Sequence, residues 1–214
     1  MTKKSHGLER MLFFSDAVIA IMLTLLALEL PLPDAHDPAH LAEALAAHGS
    51  QYLAFLVSFC VIATAWIAHH LFFTHVSRGD QALITLNVLV LLGYVLIPWA
   101  SKALGEVPGG AGVVVYAAAM AFLGGTMSLM VRHVVRAGLL DPQAPPAVIT
   151  GIRAWSTATM AMFALSIPGA LVVGRGVMFV WPVGYLGLRL VAEYQLRRHR
   201  AGAVPASSTK ESTM

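Results

Sequence analysis

Arg10–Leu30, RMLFFSDAVIAIMLTLLALEL, is an apolar stretch broken near its start by Ser15 and Asp16. About twenty residues at 1.5 Å each reach roughly 30 Å, the thickness of a bilayer's hydrocarbon core. A carboxylate inside that span costs about 2–3 kcal/mol to insert unless it is paired or faces water. Asp16 is therefore expected to have a functional or assembly role. Beyond it the stretch sorts into faces. At about 100° per residue, Ile21, Leu25 and Leu28 fall within about 60° of one another, with Thr24 beside them and Asp16 about 140° from Ile21. The helix carries an apolar stripe with one hydroxyl row, and a polar anchor that points elsewhere. Leu23 and Leu26 fall on the packing side.

The rest of the chain is of the same kind. It is 57% hydrophobic and 12% charged, with mean hydropathy +0.73, whereas soluble domains carry about a quarter charged residues. The composition predicts an all-α integral membrane protein with short loops, and one six-helix domain over 1–200. Segment 1 (about 8–30) ends at Pro31 and Pro33, which cannot continue a helix. It lacks a small-residue cleavage site and reads as retained, not as a signal peptide. Asp37-Pro38 followed by AHLAEALAAHG predicts a short capped surface helix. Segments 2 (about 51–73), 3 (about 81–102), 4 (about 110–133), 5 (about 150–173) and 6 (about 177–196) follow. Gly93, Pro98 and Pro168 are expected bends, and Gly124-Gly125 a close helix approach. A polar tail, 201–214, is expected to be disordered.

With six spans both termini share a side. Twelve Lys/Arg fall on that side and two, Lys102 and Arg175, on the other. The positive-inside rule puts both termini in the cytoplasm, with the plasma membrane as the expected location. The basic residues lie at membrane edges without interleaved aromatics, so nucleic acid is not an expected partner. The single cysteine, Cys60, reads as a small apolar packing residue in mid-helix. His69, His70 and His75 lack the ligand spacing of a metal site. No phosphate loop, nucleophile elbow or paired cysteine motif occurs, so neither an enzyme nor a cofactor is expected.

Depth arithmetic assigns partners to Asp16. It lies about eight residues above the start of segment 1, roughly 12 Å in. Trp66 on segment 2 and Asn87 on segment 3 sit near the same level, with His70 one turn from Trp66 and His69 beside it. Without water in the bilayer, these groups are expected to meet in one layer that locks segment 1 to segments 2 and 3. The rival reading of the same residues is a proton-coupled transporter using Asp16 and His70. Arg10 lies about 240° from Asp16 and is not its expected partner.

Arg10-x-x-x-Phe14-Ser15-Asp16 resembles the signature of the transmembrane protein 175 family of potassium channels, and the Trp66…His69-His70 run is similar to the same family's second helix. The resemblance implies six helices per subunit and a central pore lined by the first helices, with no carbonyl filter. It implies that Ile21, Thr24, Leu25 and Leu28 line the ion pathway. On residues alone, such a stripe most often faces lipid or a neighbouring helix. The R-x-x-x-F-S-D pattern occurs once, whereas eukaryotic members carry two units, so the resemblance implies a homotetramer. The expected activity is passive potassium-permeable conduction in a lipid bilayer.

Overall fold

The structure is a computed structural model that describes residues 6–32, 40–185 and 187. The Asp37-Pro38 cap, the second half of segment 6 and the tail lie outside these residues. The chain forms α1 (His6–Leu28), α2 (Leu41–Ala47), α3 (Gly49–Thr74), α4 (Gln81–Glu106), α5 (Ala111–Arg136) and α6 (Pro146–Val173). A 3-10 segment, Gly174–Phe179, leads into further helix from Val180. Among the described residues five helices are long and apolar enough to cross a bilayer, the last continuing from Pro146 to Tyr185. The expected order holds, with several ends shifted by a turn. The start of segment 6, Val177 to Phe179, is 3-10 rather than α.

α1 buries Leu8, Ser15, Ile19, Met22 and Leu26, a spacing of three and four that defines one helix face. That face packs on α3 and α4. The helix stops before Pro31, whose carbonyl accepts the Tyr52 hydroxyl at 3.0 Å and ties the exit to α3. α2 follows, a short exposed helix without a side-chain cap. Cys60 lies on the outward face of α3, exposed, and does not pack inside the subunit as expected. The nearest residues of α3 that turn inward are Ser58, Val61 and Ile62, so position 60 falls between buried positions.

The core lies where α5 packs between α4 and α6. Glycine allows this. A Cβ on Gly124 would stand 2.8 Å from the Met160 backbone nitrogen, and one on Gly93 3.1 Å from the Leu123 Cα. Tyr116, Phe163 and Trp181 interlock, with Tyr116 and Trp181 stacked at 5.3 Å. Hydroxyls pair across the seams: Ser58 donates to Ser101 at 2.9 Å, and Ser128 to Ser156 at 3.1 Å. Arg175 donates to the Leu104, Gly105 and Val107 carbonyls, which capping would otherwise leave open at the end of α4.

At the opposite end two loops are zipped together. Val76 bridges Leu140, and Ser77 N–H and the Asp141 N–H bond the Leu139 and His75 carbonyls at 3.0 and 2.8 Å. Asp80 caps α4, accepting the Leu83 N–H at 2.7 Å, and binds His133 Nε2 at 2.8 and 3.0 Å through its two oxygens. The Leu83 N–H, helped by the His133 imidazole and opposed by partial burial, holds the Asp80 carboxyl below the usual carboxylate range. A lowered folded value means that the stabilisation is present above the unfolded value, about 3.9, and is lost as pH falls through the folded one. Asp80→Ala should lower stability by about 1 kcal/mol at neutral pH. Asp80→Asn should keep most of the cap but flatten the loss below about pH 4. Melting of the detergent-solubilised protein from pH 3 to 7 reads both, and an unchanged acid limb in Asp80→Asn would refute this origin.

Candidate functional site

The site begins at one carbonyl. Met11 O accepts the Ser15 hydroxyl at 2.9 Å within α1. Its proton committed, Ser15 Oγ accepts Asn87 Nδ2–H from α4 at 2.8 Å. The Asn87 amide is thereby oriented, and its Oδ1 faces His69 Nε2 of α3 at 2.9 Å. A carbonyl oxygen only accepts, so the neutral His69 carries its proton on Nε2. Ser15, Asn87 and His69 are all buried. Three helices are joined by a relay with one consistent set of donors.

Asp16 belongs to a second, separate contact. Trp66 Nε1–H donates to Asp16 Oδ1 at 2.9 Å, and the Trp66 ring lies 5.6 Å from that of His70. The expected single layer is therefore two strands of contacts side by side. Asp16 bonds α3 but not α4. The imidazole that meets Asn87 is His69, not His70. His69 is seven residues beyond the buried Ile62 and four before the buried Phe73, so it faces inward. His70, about 100° further round, is exposed. Ser15, read in the sequence only as part of the motif, is the residue on α1 that holds α4.

The docking fixes which face of α1 is left uncovered. Ile21 is 53% exposed, Leu25 37% and Leu28 79%, while Ile19 and Leu26 are buried. Thr24 is exposed on the same face and its hydroxyl donates to the Ile21 carbonyl at 2.8 Å, which leaves oxygen lone pairs facing outward. Leu23 is half-buried against the core, as expected. Arg10 and Phe14 are exposed near the N-terminal end of α1. The whole stripe lies in one continuous face with no covering helix among the described residues.

A family model described as the endosomal/lysosomal potassium channel TMEM175 matches residues 10–98. A potassium channel of Streptomyces collinus is 38% identical over 148 residues, covering 65% of this chain and 72% of that protein. The chain belongs to the TMEM175 family. The crystal structure of a TMEM175 homolog from Chamaesiphon minutus, described as a lysosomal potassium-selective channel, superposes with a TM-score of 0.65 at 27% identity. That match covers 91% of this chain and 98% of the other. A TMEM175 protein of Mus musculus, named a proton channel, is 40% identical over 91 residues, and the match spans only 18% of its length.

In this TMEM175 chain the matched segment takes in the motif, the stripe and both strands of polar contacts. Residues on α5 and α6 serve as scaffold behind it. The two strands should differ in their response to substitution. Asn87→Leu keeps the volume but strands buried groups on α1 and α3, at about 1–3 kcal/mol each. The expected result is loss of the folded peak on size exclusion. Asp16→Asn leaves an acceptor for Trp66 and should assemble. Asn87→Leu protein that elutes and melts like the parent would show that the relay does not hold α1.

Proposed function

We propose that the chain is one subunit of a homotetrameric, potassium-permeable channel in which the exposed face of α1 lines the pore. The observation that carries this is the uncovered stripe of Ile21, Thr24, Leu25 and Leu28, set opposite the face that the Ser15–Asn87–His69 relay buries. α1 and α3 bury only 28% of their apolar windows inside the subunit, against 61% for α5, so their remaining faces need partners or lipid. A ring of α1 helices supplies such partners for the pore helix. The relatives named as potassium channels support the choice of ion.

The chemistry is that of a dry neck. Rings of Ile21, Leu25 and Leu28 offer no ligands, so an ion crossing them gives up part of its hydration shell. Potassium loses water at lower cost than sodium, and the neck favours it without coordinating it. Thr24 oxygens add weak dipoles one turn above Ile21. Conduction is downhill and uses no cofactor. The rival transporter reading needs Asp16 and His70 to share a proton, yet Asp16 is engaged by Trp66 and His70 packs on that ring.

Orientation follows from charge: both termini in the cytoplasm, the Glu29–Lys102 end outside, and the plasma membrane as the location. Cysteines placed at Glu43 and Arg136 in a Cys60→Ala background should label from opposite sides of intact cells.

Bilayer reversal potentials under potassium/sodium gradients test the pore itself. Ile21→Asn and Leu25→Asn should wet the neck and reduce discrimination between the two ions while the tetramer survives. Leu23→Val, on the packing side, should leave it unchanged. Proteoliposome flux driven by a potassium gradient alone, without a proton gradient, should persist in the parent. Unaltered permeation in well-formed Ile21→Asn and Leu25→Asn oligomers would remove this face from the pore.

A further inference from the structure

The seam between α5 and α6 keeps a steady antiparallel register. Gly124 lies against Met160, and Ser128 Oγ meets Ser156 Oγ at 3.1 Å and Thr157 Oγ1 at 3.4 Å. Four residues on from the Ser128–Thr157 contact along each helix, toward the Asp80 end, Arg132 of α5 comes level with Arg153 of α6 beside the buried Ile152. Both side chains are exposed, and Arg136 follows one turn beyond Arg132, also exposed. Two guanidinium groups at one level of a seam repel unless an anion lies between them.

No such anion comes from the described residues. Asp80 is taken by Leu83 and His133, and Asp141 accepts the Gln143 N–H. His133, on the same turn as Arg132, is held on Asp80. Arg78 donates to the Gly138 carbonyl and adds no negative charge. Neither Arg132 nor Arg153 has a hydrogen bond or ion pair among the described residues.

The surroundings identify the kind of anion. Exposed Leu129, Val135 and Ala154 flank the pair, so this surface borders hydrocarbon. Arg132 lies about 6 Å inside the end of α5 and Arg153 about 10 Å inside the start of α6, the depth at which headgroups meet acyl chains. α1 packs on α3 and α4, so the seam stands across the bundle from the pore face. We infer that Arg132 and Arg153 form a site for the phosphate of an anionic phospholipid in the leaflet at this end. Guanidinium groups pair with phosphate in a bidentate manner, and basic clefts between membrane helices at this depth hold acidic headgroups.

Native mass spectrometry of the full-length protein in detergent tests the site with phosphatidylglycerol, phosphatidylcholine and inorganic phosphate as separate probes. Phosphatidylglycerol should be retained at lower concentration than phosphatidylcholine, and millimolar phosphate should not displace it. Arg132→Gln/Arg153→Gln should weaken its retention about thirtyfold, from about 1 kcal/mol per arginine. Arg132→Lys/Arg153→Lys should retain most of the binding and guards against a folding defect in the glutamine variant. Equal retention of the two lipids by the parent overturns the proposal. So does unchanged phosphatidylglycerol binding in the glutamine variant. Ready displacement by phosphate would make the site one for a free anion instead.

Discussion

The Ser15–Asn87 hydrogen bond is the contact on which the geometry of α1 depends. A lipid-facing membrane helix has little reason to prefer one rotation over another, because its apolar faces are interchangeable in hydrocarbon. A buried amide removes that freedom. Asn87 has two donors and an acceptor to satisfy and no water to satisfy them. Its orientation is inherited from the Met11 carbonyl through Ser15, and it passes on to the tautomer of His69. Turning α1 by a single residue, about 100°, would break the relay at the Ser15–Asn87 bond. The face that ends up uncovered is thus selected by polar groups on other faces of the helix.

The described helices divide into a scaffold and an attached α1. In the scaffold α5 lies at backbone contact with α6 through Gly124 and is locked by paired hydroxyls and stacked rings. Its ends are tied down by different means: Arg175 on the open carbonyls of α4 at one end, Asp80 on α4 and His133 at the other. α4 is the element common to both parts. It packs on α5 through Gly93 and presents Asn87 to α1, so the position of α1 is set relative to the most buried of the described helices.

Much of this was legible in the sequence because bilayer thickness and helical period constrain it. Spans follow from length and hydropathy, and the division of α1 into Ile21–Thr24–Leu25–Leu28 against Leu23 and Leu26 follows from 100° steps, whereas the burial of Met22 was not read. Depth counting brings Trp66 to Asp16, a bond the structure contains. What counting along a helix cannot supply is the rotation of the second helix. His69 and His70 are adjacent in sequence and equal in depth, and only the direction in which α3 turns its Ile62–Phe73 face separates the buried one from the exposed one. The loop bridge of Val76 with Leu140 and the Asp80–His133 contact join residues more than fifty apart, and neither has a periodic signal. The same holds for Cys60, whose exposure depends on the neighbours α3 lacks within one subunit.

The two halves of α1 are consequently held by different physics. From Leu8 to Asp16 the helix is fixed by directional bonds through Ser15 and Asp16, which tolerate neither rotation nor much displacement. From Ile19 to Leu26 it is held by Ile19, Met22 and Leu26 in apolar contacts, which depend on distance but not on angle. At the far end Glu29 meets Lys102 at 3.0 Å in an exposed pair that adds little rigidity. The stripe that is proposed to form the neck lies wholly in the second half, beyond the last directional bond. Rotation of the inner half would strand buried polar groups, whereas small rotations of the outer half only exchange one branched side chain for another against the same neighbours. A neck built this way has its position fixed from one end and its bore left adjustable.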